Sequence, residues 1–183
     1  MSDVFRVGIG LDIGEKRIGV ARGDLEVRFA TPLKPVFNQP GVFAKIAEIF
    51  RENQAEFLVA GLPRNSKGEE TRQSDFSRNF VDRLREQFKT DGMSIEIYFQ
   101  DESLTSIKAE EFLRSRPNFR ETMLRDGTLD SEAAAIILGD FLENGEVRRS
   151  DNLHEIHREG EIERQNGESG YAKDFAIQED DRG

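Results

Sequence analysis

Phe5-Arg6-Val7-Gly8-Ile9-Gly10-Leu11-Asp12 alternates large apolar residues with small or charged ones, the period-two pattern of a β-strand with one face on a core. The other face is nearly bare, Gly8 and Gly10, and ends on a carboxylate, Asp12. Working outward, Gly14-Glu15-Lys16 supplies a turn, Arg17 to Ala21 reads as a second strand, and Leu25 to Ala30 as a third after a turn at Gly23-Asp24. Strands joined by such short links make an antiparallel meander.

Pro32, Pro35 and Pro40 then punctuate a loop. Val42, Phe43, Ile46, Ile49 and Phe50 recur at helical spacing and predict an amphipathic helix. Phe57 to Ala60, stopped by Gly61 and Pro63, reads as a buried strand, and Arg64 to Thr71 as a polar loop. Phe76, Phe80, Val81, Leu84 and Phe88 give a second helix, and Ile95 to Phe99 a fifth strand that runs into Asp101-Glu102. A third helix is expected from about Leu104 to Arg114, and a fourth near Asp130, capped by Asp130 or Thr128. From Ala133 to Leu142 this last helix has almost no polar face, so it must lie against the sheet. The order of elements predicts an α/β fold, a five-stranded mixed sheet with helices packed on its faces. Phe43, Phe50, Phe76, Phe80 and Phe88 belong to its core.

The 183 residues suit one domain with a full hydrophobic core. The absence of cysteine excludes disulfides, thiolate catalysis and cysteine-based zinc sites together. The net charge of −10 is uneven: from Glu143 to Gly183 there are 12 acidic and 6 basic residues, a net of −6, which leaves −4 for Met1 to Leu142. An acidic isoelectric point therefore does not exclude a nucleic-acid partner, because the excess sits in the tail and body carboxylates that hold metal are neutralised by it. The composition predicts a domain over residues 1–143 and an acidic, disordered tail over 144–183, with one small apolar cluster at Tyr171, Phe175 and Ile177. With neither a signal-peptide pattern nor a long apolar run, the expected location is the cytoplasm, with no membrane contact.

Three carboxylates fall at element ends that this topology brings together: Asp12 on the first strand, Glu102 after the fifth, and Asp130 at the start of the last helix. Carboxylates packed this closely are tolerable when hard cations neutralise them, and Mg²⁺ or Mn²⁺ would suit an all-oxygen set. A pair of such ions serves phosphoryl displacement. Asp101 ranks behind Glu102 because alternation puts it on the opposite face, and Glu132 is expected to be a capping or surface residue. Candidate nucleic-acid contacts are Lys16 and Arg17 on the first turn, Arg64, Asn65 and Lys67 on the loop after a strand, and the basic stretch of Arg114, Arg116, Arg120 and Arg125.

Four blocks in order sharpen this pattern. Gly10-Leu11-Asp12-Ile13-Gly14-Glu15-Lys16-Arg17-Ile18-Gly19-Val20-Ala21 resembles the first motif of the YqgF (RuvX) family. Val59-Ala60-Gly61-Leu62-Pro63-Arg64-Asn65 with Gly68 and Arg72, Asp101-Glu102-Ser103-Leu104-Thr105-Ser106 with Ala109-Glu110, and Asp130-Ser131-Glu132-Ala133-Ala134-Ala135-Ile136-Ile137-Leu138 resemble its later ones. The resemblance covers roughly residues 5 to 143. It implies an RNase H-like fold and metal-dependent phosphodiester hydrolysis, with Asp12, Glu102 and Asp130 as metal-binding catalytic acids. It also implies a role in trimming the 5′ end of precursor 16S rRNA, with a link to Holliday junction resolution. The implied partners are precursor rRNA or branched DNA, and ribosomal particles, for a monomer or a homodimer. Ser103 stands where the family usually has arginine. Two other readings remain: an ATP-binding protein of the actin, Hsp70 and sugar-kinase group, which shares the Gly10 to Gly14 pattern but needs a second domain, and a catalytically silent RNA-binding protein on the same fold.

Overall fold

In the computed structural model, which describes residues 6–65, 67–101, 105–115, 117 and 120–144, with only the backbone described for 105–108 and 124, strand β1 (Val7–Ile13) lies in the middle of a six-stranded sheet. It pairs antiparallel with β2 (Arg17–Asp24) and parallel with β5 (Phe57–Leu62). β3 (Phe29–Pro32) continues the antiparallel side, β6 (Glu96–Asp101) continues the parallel side, and the two-residue β4 (Val36–Phe37) pairs with the start of β2. The sheet order is β3-β2-β1-β5-β6, a mixed sheet as expected from the sequence and in keeping with the RNase H-like fold that the resemblance implies. All described residues fall within one compact unit bounded by Met1–Gly145; the second unit, Glu146–Gly183, which holds Tyr171, Phe175 and Ile177, lies outside the described residues. Among the described residues no helix is long and apolar enough to cross a membrane.

The two faces of the sheet differ as the alternation along β1 requires. Ile9, Leu11 and Ile13 of β1, with Ile18 and Val20 of β2 and Leu58 and Ala60 of β5, join a dry core. Helices α1 (Val42–Glu52) and α2 (Arg72–Thr90) cover them through Ile46, Phe50, Val81, Leu84 and Phe88. Burying each such side chain contributes about 1.5–3 kcal/mol. Gly8, Gly10 and Asp12 point the other way, and there α4 (Thr128–Asn144) lies across β1 and β2, flanked by α3 (Thr105–Ser115). Close approach needs a bare strand: a Cβ on Gly10 would come within 2.8 Å of the Ala134 carbonyl oxygen.

Several expectations change in detail. The sheet has six strands rather than five, because the proline-rich loop contributes β4. The third strand begins at Phe29, not Leu25, since the Asp24 carboxylate accepts hydrogen bonds from the backbone N–H groups of Glu26 (2.8 Å) and Val27 (3.4 Å) and builds a turn there. A short 3-10 turn, Glu121–Leu124, precedes α4. Neither Thr128 nor Asp130 caps that helix: Asp126 Oδ1 accepts from the Thr128 N–H at 2.9 Å.

Candidate active site

The parallel strands β1, β5 and β6 all run to the same end of the sheet, where such folds place ligands. Asp12 is the penultimate residue of β1, on the α4 face. Its cross-strand partner is Gly19. The first turn of α4 rests on that glycine: a Cβ at Gly19 would fall 1.9 Å from the Asp130 carbonyl oxygen and 2.9 Å from the Ser131 nitrogen. Ser131, fully buried, fastens the contact by accepting a hydrogen bond from the Val20 N–H at 3.3 Å. The missing side chain on β2 thereby brings Asp130 beside Asp12, across more than a hundred residues of sequence.

The electrostatics follow from that proximity. Burial, with the Asp130 carboxylate as a second cause, pushes the Asp12 carboxyl from its ordinary 3.8 up to about 7. Asp130 carries its own counter-charge: Arg17 Nε donates to Asp130 Oδ2 at 2.8 Å. Two half-buried carboxylates from separate elements, one resisting ionisation, form a donor set suited to a hard dication. Glu102, the third acid expected here, lies outside the described residues; among the described residues no group of three potential ligands converges. Asp101 pairs in register with Leu62 and so lies on the face away from Asp12, where Arg64 Nε is 3.9 Å from its carboxylate. Glu132, expected to be a capping or surface residue, is buried at 3 % exposure.

The basic candidates divide. Lys16 is exposed on the β1–β2 turn, and Lys67 on the loop after β5. Arg64, on the same loop, donates to the Gly68 carbonyl at 2.8 Å and lies 3.5 Å from Glu70, which also pairs with Arg78. Asn65 is engaged locally, its Oδ1 accepting from the N–H groups of Lys67 and Glu69, both at 2.9 Å. Arg114 is bound by Glu110 at 2.9 Å and Glu121 at 3.0 Å, while Arg116 lies outside the described residues.

Sequence reasoning missed two amides that hold the β1–β2 turn. Gln73, in the first turn of α2, donates to the Ile13 carbonyl at 3.1 Å, and Asn38 donates to the Gly14 carbonyl at 3.2 Å. α2 is itself anchored to the end of β5, since Ser74 Oγ donates to the Pro63 carbonyl and shares a reciprocal cap with Thr71. No periodicity or spacing in a single sequence marks such long-range side-chain-to-backbone bonds.

Fold and site together define an RNase H-like domain with paired carboxylates at the carboxyl end of its central strand. Within that class the chain belongs to the RuvX family, whose model, described as Holliday junction resolvase, matches residues 6–144. A relative from Sulfurihydrogenibium sp., named "Putative pre-16S rRNA nuclease", is 39% identical over 137 residues, covering 74% of this chain and 88% of that protein. Its namesake from Fusobacterium nucleatum is 34% identical over 136 residues, covering 74% and 95%. Among solved structures, Thermus thermophilus RuvC in complex with Holliday junction substrate aligns with a TM-score of 0.45 at 13% identity, over 75% of this chain and 93% of that one. Fowlpox virus resolvase with Holliday junction DNA gives 0.46 at 12%, over 75% and 97%.

Proposed function

We propose that this chain is a metal-dependent endonuclease that hydrolyses phosphodiester bonds in precursor 16S rRNA at its 5′ end, with Asp12, Glu102 and Asp130 holding Mg²⁺ or Mn²⁺. The observation that carries the reading is the seating of α4 on Gly19, which sets Asp130 against Asp12 until the latter resists ionisation. Such a pair is costly in a protein that never binds a cation. The family assignment supports hydrolysis of nucleic acid, and the relatives' names support precursor rRNA as the substrate. When bound, the ion supplies Lewis acidity at the phosphate and a more acidic water. The chain's own residues hold and orient: Asp12 and Asp130 present oxygens from two rigid elements, and Gln73 and Asn38 fix the β1–β2 turn that follows Asp12. Lys16, Arg17, Arg64, Asn65, Lys67, Arg114 and Arg116 are the proposed contacts to the nucleic-acid backbone. Catalysis belongs to residues 1–143, with 144–183 as an appendage, and the work is done in the cytoplasm, on free rRNA or on ribosomal particles.

The family's description favours a second substrate, branched DNA, for which a homodimer would be needed to cut both strands. A 5′-extended precursor fragment and a four-way DNA junction, each incubated with Mg²⁺ or Mn²⁺ and then with chelator, separate the two. Cleavage of the RNA, lost with chelator, is expected. Tight RNA binding without cleavage under either metal would replace the proposal with a binding role, and cutting of the junction alone would replace its substrate.

A further inference from the structure

We infer that Arg17 is a resident counter-cation of the acid pair, held on Asp130 until a divalent ion takes its place, and that it thereby sets how tightly the site binds metal. It has this role only if Asp12 and Asp130 are the ion-holding acids proposed above. Two carboxylates brought together on a half-buried surface repel one another, and an assembly with nothing positive beside it is unfavourable. Here the chain supplies the positive group. Arg17 opens β2, and alternation sends it to the same face as Gly19, the face on which α4 lies. Its Nε is 2.8 Å from Asp130 Oδ2, with the two side chains 28% and 30% exposed.

The stem of Arg17 is held as well as its head. Gly127, immediately before α4, is bare where a Cβ would lie 3.3 Å from Arg17 Cδ, so the arginine runs along the entry to the helix. Its bond to Asp130 is made through Nε alone. It is not the two-pronged grip by which a guanidinium holds a carboxylate most firmly. A single contact on a partly solvated edge can be exchanged. A dication at Asp130 and a guanidinium at the same carboxylate carry like charge a few ångströms apart, so each weakens the other's hold. Metal loading must therefore loosen Arg17, and the affinity for metal is lower than the two acids alone would give.

Calorimetric titration of the metal-free, full-length protein with Mn²⁺ as the probe tests this in wild type, Arg17→Met, Arg17→Lys and Asp130→Asn. Arg17→Met keeps the apolar stem and removes the charge; it is expected to bind Mn²⁺ about tenfold more tightly and to melt at a lower temperature without metal. Arg17→Lys is expected to stay near wild type, and Asp130→Asn to lose binding. Unchanged or weaker Mn²⁺ binding by Arg17→Met, with Asp130→Asn still losing it, overturns the role of Arg17 and leaves the site standing. Wild-type Mn²⁺ binding by Asp130→Asn overturns both. Should Arg17→Met fail to fold, Arg17→Gln replaces it under the same criteria.

Discussion

The two faces of β1 and β2 are built from the same stretch of sequence, Val7 to Asp24, and do opposite work. On the α1 and α2 side, Ile9, Leu11, Ile18 and Val20 are fully buried among large apolar side chains. On the α4 side, Gly10 and Gly19 contribute only backbone, and the surface ends in Asp12, Arg17 and Asp130. The first face is held by the amount of apolar surface removed from water, which tolerates small adjustments; the second depends on how near two backbones come, which does not. Stability and chemistry are thus separated by a single peptide's width, and substitutions on the two faces should fail in different ways.

The largest contrast should come from Asp12→Asn. It is expected to lower the cleavage rate about a thousandfold or more with little loss of folded protein; a variant that keeps a tenth of the activity would remove Asp12 from the site. Leu11→Ala, one residue away on the other face, should cost about 2–5 kcal/mol in denaturant unfolding while the folded fraction keeps its turnover. Gly19→Ala should cost about 3 kcal/mol or more and, for the same loss of stability, depress turnover far more than Leu11→Ala does, because the added methyl meets the Asp130 carbonyl. If the two variants lose activity in proportion to stability, the division between the faces is wrong.

A smaller effect is expected from pH. In chelated protein the Asp12 carboxyl titrates near 7 when folded against an ordinary 3.8, so the folded state holds the extra proton between those values. Its contribution is full below pH 4 and is lost as pH rises through 7. The melting temperature of the metal-free wild type should therefore fall relative to Asp12→Asn between pH 5 and pH 8, by several degrees, and added Mg²⁺ should narrow the gap. Parallel melting curves across that range would show that Asp12 is not under this strain. Smallest of all, deletion of Gly145 to Gly183 should leave the melting temperature nearly unchanged, since that segment is rich in charge and poor in apolar residues; a drop of several degrees would show that it is docked.

Much of this was legible in the chain itself. Alternation from Phe5 to Asp12 gave the central strand and its two faces, and the apolar run from Ala133 to Leu142 required a helix on the sheet, as found. What failed did so where a side chain acts on distant or neighbouring backbone. Leu25, Val27 and Phe29 alternate as a strand would, but the Asp24 carboxylate and the left-handed Arg28 (φ 53°) make a turn of the residues before Phe29. Glu132 read as a capping or surface residue because a carboxylate ordinarily stays in water, yet it is buried within α4. Arg17 and Asp130 were each singled out, yet their bond spans 113 positions and no spacing rule connects them. Arg114 was singled out for phosphate, and its ion pairs with Glu110 one turn earlier and Glu121 after the helix were not foreseen.

α4 carries Asp130 in its first turn and Phe141 near its far end, where Phe141 stacks with Tyr98 (ring centroids 5.0 Å apart) and Phe57 (6.0 Å). Eleven residues of helix make a stiff rod about 16 Å long. A rod seated at both ends acts as a lever, so a change in the aromatic trio is felt as a displacement at the carboxylates. Inactivating substitutions should therefore be found at the distal pole of the domain as well as around Asp12, in residues that no nucleotide ever approaches.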